Sequence, residues 1–334
     1  MKWFDEKGPE SEIVLSTRIR LARNISRYPF PCRLDAKGRN KITDEVWNAL
    51  SDGSCGSFSM IRMDKISRIQ AISLAERHLI TPEFTSRLEG TALMMTEDEG
   101  TSIMVCEDDH LRLQVVMPGL SLEDAFAKAD KIDTFLDEKF GFAFDENMGY
   151  LTQCPANIGT AMKASVMLHL PALTRCGRIS RLAGTVSKLG LVLRGAYSEG
   201  SSPAGDIYQL SNQITLGISE EAAVSNLKSI AMQLVNQEKA LAAEYAASPL
   251  EEDRIYRALG LLKYARSMSN KEFMELLSLV RMGCANGVLD IAPEVLGGLL
   301  INLQPATVSA ANPDASTQEA RDRIRADAVR KALE

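Results

Sequence analysis

Apolar and polar positions alternate most sharply near the start of the chain, in STRIRLARN from Ser16 to Asn24, where Ile19 and Leu21 interleave with Arg18 and Arg20. Residues two apart on a strand share a face, so this pattern predicts a strand that buries Ile19 and Leu21 and projects two guanidiniums together on the other side. The same period predicts strands at Ser102 to Val105 and His110 to Met117, a hairpin closed by the acidic turn CEDDH, with His110, Arg112 and Gln114 on one face. Further strands are expected in KASVMLHL from Lys163, LVLRG from Leu191 and IYQLSNQITLG from Ile207. Helical periodicity covers Lys65 to Leu79, Ser121 to Phe140, Ala172 to Leu189 and Ser219 to Ala247. Hairpin-linked strands interspersed with helices predict an α+β fold on a mainly antiparallel sheet.

Beyond Pro249 only helices are expected. Glu251 to Met268 is the first, Ser269 with Glu272 has the spacing of a capping box, and Pro293 suits a helix start. SAANPDAS, from Ser309 to Ser316, reads as a loop, and Ser316 with Glu319 repeats the capping spacing before a charged last helix. The expected division is residues 1–248 as one α+β unit and 249–334 as a small helical domain.

Composition narrows the function classes. The chain has 334 residues, 45% of them hydrophobic, ample for a core. A net charge of -6 argues against a nucleic-acid or anionic-lipid partner, so an anionic ligand needs a focused site. The charged start MKWFDEKGPE lacks an apolar leader, and no stretch reaches the roughly 18 residues of a membrane span, so a soluble, cytoplasmic protein is expected. Six scattered cysteines without a CxxC pair point to reduced thiols rather than a disulfide framework or zinc site, and His78, His110 and His169 have no metal-ligand spacing.

Two guanidiniums side by side repel unless an anion joins them, and their planar forks suit phosphate oxygens. A salt-bridged or solvated strand face explains one such pair equally well. Three other segments also carry cations: Arg112 follows CEDDH, Lys163 follows CPANIGT, and Arg194 precedes Glu199. Neither the GxxxxGK[ST] phosphate loop nor the HRD and DFG signatures of protein kinases occur.

The stretches STRIRLARN, CEDDHLRLQ, CPANIGTAMKASVMLHLPAL, LRGAYSEG and DIYQLSNQITLG together resemble the ATP:guanido phosphotransferases, the phosphagen kinase family, and within it the bacterial protein-arginine kinases. The resemblance spans nearly the whole first 245 residues in the family's order. It implies a twisted antiparallel sheet flanked by helices, related to the glutamine synthetase catalytic domain. It implies that Mg²⁺ accompanies ATP without direct protein ligands. It implies an ATP site built from Ser16, Thr17, Arg18, Ile19 and Arg20, from His78 and Arg112, from Lys163, Ala164, Ser165, Val166 and Met167, and from Arg194, Gly195, Ala196, Tyr197, Ser198 and Glu199.

A guanidinium is a poor nucleophile, its lone pairs delocalised and its pKa above about 12, so phosphorylating it demands strict positioning and a proton acceptor. By resemblance, Glu199 and the acidic turn around Asp108, with Glu107 beside it, grip the guanidinium, and one carboxylate acts as base. Cys154 matches the family's reactive cysteine, a thiolate that orients the substrate. His110 and His169 are left as structural.

Family members acting on free arginine or creatine carry a helical domain of about 100 residues before the arginine strand. Here 15 residues precede Ser16, which suits an arginine presented by a protein. In the last helix Arg321-Asp322-Arg323-Ile324-Arg325-Ala326 reads RDxxRA. By resemblance Arg321, Asp322, Arg325 and Ala326 form an allosteric phosphoarginine site, and Arg321 and Arg325, four apart, share a helix face. The resemblance further implies dimerisation or higher assembly through the helical domain, an activator of the McsA type, Clp-type protease machinery and a heat-shock repressor as partners, and a role in protein quality control.

Four positions depart from the family pattern: Cys106, Asp108, Lys163 and Ser198. CEDDH stands for NEEDH, which places Asp108 at a glutamate position and retracts the carboxylate by about one methylene; misplacement on the order of 1 Å costs about 100-fold in rate. Lys163 replaces a cage arginine and Ser198 a glycine. The expectation is an active protein-arginine kinase with lowered turnover. A phosphoarginine-binding regulator with weakened catalysis and a kinase for a free guanidino compound stay open.

Overall fold

The computed structural model describes residues 1–53, 55–86, 88–197 and 203–334. Ten strands are described: β1 (Val14–Arg23), β2 (Phe58–Arg62), β3 (Ala92–Thr96), β4 (Thr101–Val105), β5 (Leu111–Pro118), β6 (Phe144–Asp145), β7 (Gly149–Tyr150), β8 (Met162–His169), β9 (Leu191–Gly195) and β10 (Ile207–Asn212). The helices of the first unit are α1 (Ala36–Leu50), α2 (Arg68–Glu76), α3 (Leu122–Phe140), α4 (Pro171–Arg175), α5 (Ile179–Ser187) and α6 (Glu220–Ala246). Then come α7 (Pro249–Tyr264), α8 (Asn270–Ala285), α9 (Pro293–Asn302), α10 (Pro305–Ala311) and α11 (Gln318–Ala332).

Eight strands form one antiparallel sheet in the order β2-β3-β4-β5-β1-β8-β10-β9, so the arginine-bearing β1 is central. Ile19 and Leu21 point, as expected, into a core shared with Leu113, Val115, Ala164, Val166 and Leu210, and with Ala129, Ile132, Leu227 and Leu234 of α3 and α6. Two long helices therefore cover one face of the sheet. The opposite face is left for chemistry.

The helices α7 to α11 build a second core around Phe273, Leu277, Leu300 and Val329. It is continuous with the first unit, since Met167 and Ile207 belong to it. Glu76, at the end of α2, accepts from the Ala306 and Thr307 amides at 2.9 and 2.7 Å and so caps α10. A carboxylate there also meets the positive end of the helix dipole.

Several boundaries differ from the sequence expectation. Ala172 to Leu189 is two helices, because Gly177 adopts φ +66° and ends the first. SAANPDAS is not all loop: Pro305 opens α10, which runs through Ala311. The last helix is capped by Thr317, whose hydroxyl accepts from the Ala320 amide, rather than by Ser316. The helix after Pro249 stops at Tyr264, short of Met268. His110 lies just before β5 and is fully buried rather than on the strand face.

Candidate active site

Cross-strand partners in an antiparallel sheet share a face, so register alone assembles the site. Arg20 lies opposite Gln114 on β5 and Lys163 on β8; Arg18 lies opposite Ser165; Ala22 lies opposite Arg112; and Gln209 on β10 lies opposite Arg194 on β9. Arg18, Arg20, Arg112, Lys163 and Arg194 thereby meet on the face away from α3 and α6. A cavity of about 200 Å³ is lined by Arg20, Arg112, Lys163 and Asn157 of the CPANIGT segment.

The cage is under-satisfied. Arg18 donates to Gln209 Oε1 at 3.0 Å, and Arg112 pairs with Glu107 at 2.7 Å. Among the described residues the side chains of Arg20, Lys163 and Arg194 have no hydrogen-bond or ion-pair partner, and Arg20 Nε is buried without one. Burial draws the Arg18 pKa down to about 10. Burial, then the charges of Arg18 and Arg112, hold Arg20 well below its ordinary value, and burial with Arg20, Arg194 and Arg18 lowers Lys163. Each shift has the sign that a bound polyanion would reverse.

His78 sits beside this group with its Nε2 2.5 Å from the Tyr197 hydroxyl. Burial, and then Arg18 and Arg20, depress its pKa to about 3, so the imidazole is neutral at pH 7. Ser16, Thr17, Ile19, Ala164, Val166 and Met167 are buried in strands that carry the cage. The Thr17 hydroxyl instead donates to Gly119 O at 2.7 Å, and Ile19, Ala164 and Val166 belong to the core beneath the sheet. Gly195 and Ala196 lead from β9 to Tyr197; Ser198 and Glu199 lie outside the described residues.

The acidic turn presents two different carboxylates. Glu107 is 5% exposed and fastened to Arg112 and to the Thr81 hydroxyl at 2.6 Å, whereas Asp108 is 59% exposed with one 3.5 Å contact to Arg112. The turn is locked from beneath by residues the sequence reading did not select. Asn24 donates to Asp109 Oδ1 at 2.7 Å and accepts from the His110 amide at 3.0 Å, while Asp109 Oδ1 also accepts from the Gln153 amide at 2.8 Å. Gln153 precedes Cys154, which is exposed at the start of the 3-10 turn Pro155–Asn157. One buried carboxylate thus ties together the ends of β1, the acidic turn and the cysteine segment. The signal for it was Asn24 closing the arginine strand.

Gly159 explains the glycine of CPANIGT. It adopts φ +110°, and a β-carbon there would come within 2.1 Å of the Thr215 carbonyl oxygen.

In α11, Arg321 is partly exposed, with a 3.4 Å contact to Ser316 O. Arg325 is 1% exposed and donates to Leu303 O at 3.0 Å, Met268 O at 2.9 Å and Asp322 Oδ1 at 2.7 Å. Ala326 is buried beside it.

Residues 40–241 match the family described as ATP:guanido phosphotransferase, C-terminal catalytic domain, and residues 250–334 match that described as Protein-arginine kinase McsB C-terminal domain. The protein-arginine kinase of Desulforamulus reducens is 41% identical over 99% of this chain and 95% of its own length. That of Bacillus subtilis is 41% identical over 99% and 93%. The chain belongs to the protein-arginine kinases of the ATP:guanido phosphotransferase family. The crystal structure of a lombricine kinase has the same fold, with a TM-score of 0.62 at 23% identity, covering 71% of this chain and 69% of that one. The substrate-free duplicated taurocyamine kinase from Schistosoma mansoni gives 0.61 at 24%, covering 73% of this chain and 37% of that one. Among the described residues no helix is long and apolar enough to cross a membrane.

Proposed function

We propose that the chain transfers the γ-phosphoryl group of ATP to arginine side chains of proteins, with Arg18, Arg20, Arg112, Lys163 and Arg194 holding the phosphates. The observation that carries this reading is the convergence of five cations on one sheet face, three of them without partners among the described residues. A nucleotide polyphosphate supplies the missing charge, and the cage then stabilises negative charge on the phosphoryl group in flight. Glu107 orients Arg112, and Asp108 with Glu199 grips the substrate guanidinium by paired hydrogen bonds. The terminal P–O bond of ATP breaks, a P–N bond forms, ADP leaves, and one carboxylate takes the guanidinium proton. Cys154, exposed next to the locked turn, orients the guanidinium. Among the described residues no group of three His, Cys, Asp or Glu side chains forms a metal site. Mg²⁺ bound to ATP phosphates and water would add charge neutralisation.

The reading extends to the helical residues 249–334 as a regulatory and dimerising domain. RDxxRA recognises phosphoarginine there through Arg321, its accessible cation; Arg325, expected on the same binding face, is instead buried with its donors taken by Leu303 O, Met268 O and Asp322, and serves as scaffold beneath it. Protein quality control, with an McsA-type activator, Clp-type protease machinery and a heat-shock repressor, is the setting the family suggests. A weakened, phosphoarginine-binding regulator is the second reading, favoured by one observation: Glu107 is fully engaged, which leaves the shorter Asp108 as the turn's accessible carboxylate.

The test is incubation with Mg-ATP and casein, beside free arginine, with phosphosites mapped by mass spectrometry without acid. Phosphoarginine on casein, reduced at least about 100-fold by Glu199→Gln, is expected. ATP binding without label on either substrate would favour the regulator.

A further inference from the structure

The chain leaves β9 at Gly195 and returns at Pro203, and the two ends touch: a β-carbon on Gly195 would lie 2.9 Å from Pro203 Cβ. It then enters β10 through Gly205 and Asp206, which adopt φ +63° and +55°. Two successive left-handed residues, the second not glycine, form a strained corner that persists only where its surroundings hold it. Here the surroundings are α8. Gly205 packs on that helix so closely that a β-carbon would meet Met274 O at 3.0 Å. The Ser278 hydroxyl donates to Asp206 Oδ2 at 2.7 Å and lies 2.9 Å from His169 Nε2.

The direction of this polar chain follows from its chemistry. Burial, and then Arg281 and Arg175, keep His169 neutral. A hydroxyl has a single proton, and Ser278 gives it to Asp206, so His169 Nε2–H donates to Ser278. The Leu170 amide, next along from His169, donates to Asp206 O at 2.9 Å and closes the ring.

What the corner controls is the cage. β10 carries Gln209, which holds Arg18, and the Ala196 amide donates to Ile207 O at 2.8 Å, which fixes Tyr197 against His78. Ala196, Tyr197 and Ala204 pack on the core of α7 to α11. We propose that Ser278 is a positioning residue for the kinase: from the C-terminal helical region it fixes the Gly205–Asp206 corner and so sets Gln209–Arg18 and Tyr197–His78 at the nucleotide site. The inference rests on the reading of the cage as the ATP site.

Steady-state kinetics of the full chain test it with Ser278→Ala, Ser278→Thr and Gly205→Ala, each first shown to be folded by circular dichroism. Ser278→Ala is expected to raise KM for ATP about tenfold, the scale of one lost net hydrogen bond, with kcat changed less than about twofold. Gly205→Ala should do the same from the other side of the contact, and Ser278→Thr, which keeps the hydroxyl, should restore KM. Unchanged KM for ATP in both Ser278→Ala and Gly205→Ala, with only the melting temperature lowered, would reduce the chain to a stability feature and overturn the proposal. Arg18→Ala separates the two levels: if it leaves KM for ATP unchanged, the cage itself has been misread.

Discussion

Arg20 and Arg325 both turn inward, into opposite surroundings. Arg325 gives its protons to two backbone carbonyls and Asp322, and thereby staples α11 to the ends of α9 and of the α7–α8 connection. Arg20 has a buried Nε without a partner, and its neighbours across the sheet include Lys163 and, nearby, Arg18 and Arg112. A fold leaves a buried polar group unsatisfied only at a cost of about 1–3 kcal/mol, more for a charge, so such a group marks where stability has been exchanged for binding. On the proposed function the satisfied arginine belongs to the scaffold and the unsatisfied one to the nucleotide.

The sharpest way to break this contrast is to remove each in turn. Arg20→Ala is expected to lower the phosphorylation rate by about 1000-fold, the scale of losing a preorganised transition-state contact, and to leave the melting temperature equal or higher. Arg325→Ala leaves three acceptors without their donor and should destabilise the chain by about 2–4 kcal/mol, with activity at low temperature reduced far less. Denaturant unfolding and initial rates on both variants check it. Equal effects on both measures would erase the distinction.

A smaller effect lies in pH. Lys163 has a lowered pKa in the folded chain, so its contribution to stability is complete above the unfolded lysine value and is lost as pH falls through the depressed folded value. On the proposed function, nucleotide binding prefers the charged lysine. Above the depressed folded value, and up to the value that bound ATP restores, binding must take up a proton, so ATP affinity is expected to fall as pH rises, by up to about tenfold per pH unit. Calorimetry across that window should show the slope in the natural chain and its loss in Lys163→Arg. An unchanged slope in the variant would remove Lys163 from the cage.

The pairing of Arg18 and Arg20 was legible in the sequence because strand periodicity places them on one face whatever surrounds them, whereas Arg112, Lys163 and Arg194 were named by the family resemblance and by no spacing of their own. The locks were not legible. Asn24 meets Asp109 across 85 positions, and Ser278 meets Asp206 across 72; such pairs leave no local pattern. β2 and β3 were missed because FSMIR and ALMMT do not alternate cleanly: the first three residues of β3 are all buried. Arg325 shows the limit of helical spacing. Sharing a face with Arg321 says which way both residues point, and only the packing of α9 and α7 against that face shows that one of them is buried.

Calorimetric titration of Mg-ATP into Arg20→Ala, beside Arg325→Ala and the natural chain, tests most directly whether the unsatisfied arginine binds the nucleotide. Arg20→Ala is expected to fold and to bind ATP at least about 100-fold more weakly, and Arg325→Ala to bind it nearly as the natural chain does. Undiminished ATP binding by Arg20→Ala would contradict that role and place the nucleotide away from this face of the sheet.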